Sequence, residues 1–172
     1  MREYKTTESG LTNDQVQQYA KQVGNHFRIY NEDGYADVDA FIKHLGGKSE
    51  VAEFNESLTI DEDTGNFTIY LPSHTSARRD RFTKSNELGH YFLHFIYASQ
   101  LKDPDFKPSF EFGRGETSRA ETEANVFASA LLMPEDKFRE WYNAYGQDID
   151  AVARKFDVSP RAAEVRASVL GL

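Results

Sequence analysis

Arg81-Phe82-Thr83-Lys84-Ser85-Asn86-Glu87-Leu88-Gly89-His90-Tyr91-Phe92-Leu93-His94 is the stretch around which the rest of the chain can be read. The run from Asp80 to Tyr97 contains no proline and a single glycine, Gly89, so it reads as one long helix. On a helix Asn86 and His90 lie one turn apart, with Glu87 beside them. A glycine inside a helix costs about 1 kcal/mol relative to alanine. Its presence next to His90 predicts the close approach of another element.

Outward from this helix, Asn13 to Val23 reads as an amphipathic helix, with Thr12 or Asn13 as the cap and Gly24 as the end. Asp37 to Leu45 reads as a second helix, stopped by Gly46-Gly47. Val51 to Phe54 reads as a strand. Leu58 and Ile60, then Phe67, Ile69 and Leu71, alternate with polar residues around Asp63-Thr64-Gly65-Asn66, which is a hairpin pattern. Lys102 to Gly115, with two prolines and two glycines, reads as a long loop. Ser118 to Leu132 reads as a helix opened by a capping box of Ser118 and Glu121. Pro134 begins the next helix, whose Phe138, Trp141 and Tyr142 share a core face. Two short helices follow, Asp148 to Phe156 and Ser159 to Val169. The class is α+β: a small antiparallel sheet packed on the central helix, with a helix-rich C-terminal half. One domain is expected over 1–172, with helices and sheet in 1–75, the site helices and loop in 76–134, and closing helices in 135–172.

The chain has 172 residues, 39% hydrophobic and 13% aromatic, which is enough for one packed core. It has no cysteine, which excludes disulfides, thiolate metal sites and a thiol nucleophile. The net charge of −8 argues against a broad phosphate-binding surface. The first residues are polar and lead into no apolar run, and no stretch is long enough to span a bilayer. A cytoplasmic protein is expected.

Asn86-Glu87-x-x-His90 is one residue away from HExxH. In that motif two imidazoles one turn apart hold zinc, and the glutamate polarises the attacking water. Ala124, Phe127, Ala128 and Leu131 form the packed stripe of the 118–132 helix, and Glu123 lies at its edge, where it can turn inward as a third carboxylate ligand.

Phe82-Thr83, Asn86-Glu87-Leu88-Gly89-His90 and His94, followed by Glu123-Ala124-Asn125 to Met133-Pro134, resemble the ImmA/IrrE family of metallopeptidases. The closing segment Phe156-Asp157-Val158-Ser159-Pro160 to Leu172 is similar as well. The resemblance implies a zincin-like core and a zinc-dependent endopeptidase. Its target would be a helix-turn-helix transcriptional repressor, cleaved or otherwise inactivated, often in a phage, mobile-element or stress-response switch. By position it makes Glu87 the catalytic base and Asn86, His90 and Glu123 the metal set. Glu121 is the substitute carboxylate, and His94 a supporting residue behind the site.

Asn86 is the departure. An amide is a weak zinc ligand beside imidazole and carboxylate, so zinc is expected to bind weakly or not at all. Three readings follow: a pseudo-peptidase that binds its repressor or antitoxin-type partner without cutting; a rearranged set of His90, His94 and Glu123; or a substitution made to trap a substrate. Direct DNA binding by the two C-terminal helices is the weakest alternative. Their spacing fits a helix-turn-helix, but Arg154, Lys155, Arg161 and Arg166 make no dense basic face. Arg78, Arg79, Arg81 and Lys84 read as a polar lead-in to the site helix.

Overall fold

The computed structural model describes residues 7–53, 56–61, 63–100, 111–112 and 118–172. Helix α1 spans Asn13–His26 and α2 spans Val38–His44. Strands β1 (Gly47–Ala52), β2 (Ser57–Ile60) and β3 (Phe67–Pro72) follow. Helix α3 is Ala77–His90, and the chain continues without a break as a π-helix over Tyr91–Tyr97 and a short α4, Ala98–Gln100. Then come β4 (Glu111–Phe112), α5 (Ser118–Leu132), α6 (Glu135–Ala144), α7 (Ile149–Phe156) and α8 (Pro160–Val169).

Thr12 caps α1 in a full capping box with Gln15. The helix runs past Gly24, contrary to the sequence expectation. A Cβ at Gly24 would lie 2.5 Å from the Tyr30 hydroxyl oxygen. The glycine therefore makes room for Tyr30, whose hydroxyl donates to the Leu131 carbonyl at 2.7 Å and ties this region to the end of α5.

The hairpin forms as expected: β2 and β3 pair antiparallel, with Leu58 opposite Ile69 and Ile60 opposite Phe67. All of these side chains, with Leu71, are buried on one face. The sheet is mixed, however, not wholly antiparallel. Its order is β1-β3-β2-β4, and β1 runs parallel to β3 from Gly47↔Phe67 to Ala52↔Pro72. Alternation of apolar residues sets which face is buried and says nothing about strand direction. The first strand also starts at Gly47, immediately after the helix stop, where the Phe67 ring occupies the space a Cβ would need. Phe54 lies outside the described residues. So does most of the expected 102–115 loop, of which 111–112 forms β4 against β2.

The core joins the sheet to α1, α3 and α5. The Phe92 ring stacks between Phe41 and Phe127, at centroid distances of 5.9 and 5.8 Å. Phe138 and Phe156 stack at 6.0 Å and anchor α6 on α7. Trp141 packs at the edge of this cluster, its indole N–H donating to the Asp33 carbonyl at 2.9 Å. Asp157, in the left-handed conformation, separates α7 from α8, and Ser159 caps α8. The buried Arg166 of α8 donates to the Met133 carbonyl at 3.0 Å and the Gln17 side chain at 2.6 Å, which fastens α8 to α5 and α1. No helix among the described residues is long and apolar enough to cross a membrane.

Candidate metal centre and groove

Helix α3 starts at the Ser76 cap and carries Asn86, Glu87 and His90 in its last turn, all of them buried. It crosses α5 at Gly89, where an added Cβ would sit 3.0 Å from the backbone of Ala124. The close approach expected from Gly89 is therefore present, and it brings the two helices' polar side chains within hydrogen-bond reach.

Asn86 Nδ2 donates to Glu121 Oε1 at 3.0 Å and to Asn125 Oδ1 at 2.8 Å. The carboxylate decides the orientation of the amide, because an ionised carboxylate only accepts. His90 Nε2 meets Glu121 Oε2 at 3.3 Å, and its Nδ1 meets His94 Nδ1 at 2.9 Å. His94 Nε2 meets Glu123 Oε2 at 3.1 Å. Glu123 is fully buried, accepts the Ser9 backbone N–H at 3.0 and 3.2 Å, and has Arg119 Nε at 3.4 Å.

The carboxylate beside Asn86 and His90 is thus Glu121. Glu123, expected there from the sequence, faces away behind His94. Two residues on a helix are about 200° of rotation, so 121 and 123 cannot share a face. Glu121, Thr122, Asn125, Val126 and Ser129 form the stripe that lines the groove. Asn125, which the sequence did not single out as a site residue, joins the corner through Asn86. Its spacing of four from Glu121, which puts both on one face of α5, is the signal that could have found it. The Glu121 carboxylate turns toward α3, and the expected capping box with Ser118 involves a side chain outside the described residues.

Burial holds the His90 imidazole below its usual value, against the pull of the nearby Glu121 and Glu123. Contact with the His90 ring, with help from the Asn86 N–H, keeps Glu121 below the usual carboxylate range despite its partial burial. Burial pushes Glu123 up, but the His94 ring and the Ser9 N–H more than offset it, and it too lies below its usual value.

A groove of about 990 Å³ opens beside these residues, walled by α3, α5 and α8. Glu87 lines it, together with Phe82, Val126 and Val165. Of the basic lead-in, Arg78 pairs with Asp157 at 3.2 Å and Lys84 with Asp39 at 2.7 Å. Arg81 turns inward, donating to the Ala36 carbonyl at 2.8 Å across the Tyr35 ring.

The donor set among the described residues does not fit zinc. Catalytic zinc takes three protein ligands. Asn86 turns N–H groups, which cannot ligate a cation, to Glu121 and Asn125, which leaves His90 Nε2 and Glu121 as the convergent donors among the described residues. The rearranged set of His90, His94 and Glu123 also fails. Glu123 sits on one nitrogen of His94 and His90 on the other, so the three do not meet at a point. Among the described residues no group of three or more His, Asp or Glu side chains is arranged to hold a metal.

Residues 37–168 match the family model described as Peptidase_M78, IrrE N-terminal-like domain. Among solved structures, a Mycobacterium tuberculosis transcriptional regulator is similar, with a TM-score of 0.60 and 16% identity over 91% of this chain. The chain spans 57% of that protein's length, and at this identity the likeness concerns the fold. No curated protein matches the chain by sequence.

Proposed function

Because this chain belongs to the Peptidase_M78 family of IrrE-like domains, we propose that it binds a helix-turn-helix transcriptional repressor in the groove between α3, α5 and α8, with its peptidase chemistry disabled at Asn86. The family is zinc-dependent in general. The observation that carries the reading is the Asn86 amide, which donates to Glu121 and Asn125 where a metal-ligating imidazole would stand. The groove beside this corner, with Phe82, Val126 and Val165 in its lining, supports binding of a protein segment. The fold it shares with a protein described as a transcriptional regulator supports a partner in transcriptional control.

Glu87, in the groove wall beside His90, favours the rival reading of an endopeptidase that still cuts, with Glu87 as general base. The two readings part in a binding and cleavage assay on a helix-turn-helix repressor, with this chain and Asn86→His tested in parallel. The proposal expects binding by both and cutting by the histidine form alone. It also expects less than one equivalent of zinc in the unaltered chain and a rise to stoichiometric zinc in Asn86→His. Cutting by the unaltered chain, or stoichiometric zinc in it, overturns the reading.

A further inference from the structure

Strand β1 is an edge of the sheet, and among the described residues it pairs with β3 alone. The register sets Gly47, Ser49 and Val51 beside Phe67, Ile69 and Leu71, and side chains of paired residues share a face. The three β3 residues are buried in the core. Val51 stands on that same core side, yet it is 70% exposed, the most of any large apolar side chain among the described residues. The sheet thus carries its apolar face one strand further than the helices cover it. Lys48 and Glu50 alternate with these residues on the other face and pair with each other at 2.6 Å.

The order of the two charges about Ser49 decides what such an edge accepts. A second copy that extends the sheet from the same edge runs antiparallel, about a two-fold axis through one residue pair. Centred on Lys48 or on Glu50, the ladder opposes like charges. Centred on Gly47 or on Val51, it leaves each charge without its opposite across the ladder. Centred on Ser49, it sets Lys48 against Glu50 at both symmetric sites. That register also sets Val51 against Gly47, which has no side chain and over which the Phe67 ring already lies. The Val51 side chain of the second copy then packs at that ring. Charges on an edge strand ordinarily repel other strands. Here they are opposite in sign and symmetric about one residue, so they reject the neighbouring registers and admit a copy of the same strand.

We propose that β1 is a self-association surface, on which two copies of this chain pair antiparallel about Ser49 into one continuous sheet. No residue of β1 lines the groove, so the pairing leaves both grooves open and does not depend on what they bind. One pair of six-residue strands lies at the small end of protein interfaces, so the dimer forms reversibly with concentration.

The test is sedimentation of the full chain over a concentration series at low salt, which reads the monomer–dimer equilibrium. The unaltered chain is expected to dimerise. Lys48→Glu or Glu50→Lys alone opposes like charges at both sites and lowers the association constant about tenfold or more. The two reversals together restore it, because they exchange the signs and keep the pairing. The chain has no cysteine, so single cysteines report the register. Ser49→Cys places its two sulfurs across the axis and oxidises to a covalent dimer faster than Glu50→Cys or Val51→Cys. This series reads the register even where a charge reversal disturbs the strand. A chain that stays monomeric at every concentration overturns the proposal. So does a dimer indifferent to either reversal or not restored by both, or one that cross-links fastest through Glu50→Cys.

Discussion

At Gly89 two helices meet backbone to backbone, and a single methyl group tests how tightly they are held. Gly89→Ala adds a carbon 3.0 Å from Ala124 Cα, 3.0 Å from Ala124 O and 3.2 Å from Phe127 Cβ. In a free helix the change would stabilise by about 1 kcal/mol. Overpacking a buried site costs about 1–3 kcal/mol. The atoms met here are main chain and the first carbon of a fully buried ring, none of which can rotate away. The cost therefore belongs in the upper part of that range, and the net loss is about 1–2 kcal/mol. For a chain of 172 residues that lowers Tm by about 2–8 °C. The assay is thermal melting and urea unfolding followed by circular dichroism and Trp141 fluorescence, with coincident transitions as the check on two-state behaviour. The same spreading of α3 from α5 lengthens the 3.0 Å contact between Asn86 and Glu121. A variant as stable as the parent, or more stable, would refute the close-packed crossing on which the site's geometry depends.

Other outcomes follow from the same structure. Arg166→Leu leaves the Met133 carbonyl without its guanidinium donor and should cost about 1–3 kcal/mol in a denaturant titration; an unchanged midpoint would show that α8 is not fastened there. The Tyr19 hydroxyl, raised to about 12 by burial and by Tyr97, ionises later in the folded chain than in the unfolded one, where the value is 10.0. Its stabilising contribution is present below pH 10.0 and is lost as the pH rises towards about 12. Urea midpoints should therefore fall over that window in the parent and less steeply in Tyr19→Phe; parallel slopes would exclude Tyr19 as the source.

The hairpin of β2 and β3 and α5 were legible from local periodicity, because burial of one face imposes it, and the helix bearing Asn86, Glu87 and His90 from its freedom from helix breakers. Gly89 was legible for a related reason: a costly residue inside a helix marks a close contact. The direction of β1 was not legible, since a strand's alternation is the same whichever way its neighbour runs. Nor was the change to a π-helix at Tyr91, which includes His94, a residue that ends against His90. Gly24 misled the reading of α1, because the residue that needs its empty space is Tyr30, beyond the helix. Glu121 and Glu123 were both visible as carboxylates. Which of them lies beside Asn86 and His90 was not legible, because that depends on which face of α5 packs on α3.

Position 86 shows where the two levels of information divide. That it holds an amide in place of an imidazole is written in the chain, and it is enough to weaken a zinc site by donor chemistry. What the amide does instead depends on Glu121 and Asn125, which lie 35 and 39 residues away along the chain. An amide can donate or accept equally well. Only the packing of α5 against Gly89, which brings a carboxylate to its face, makes Asn86 a donor in a closed hydrogen-bonded corner.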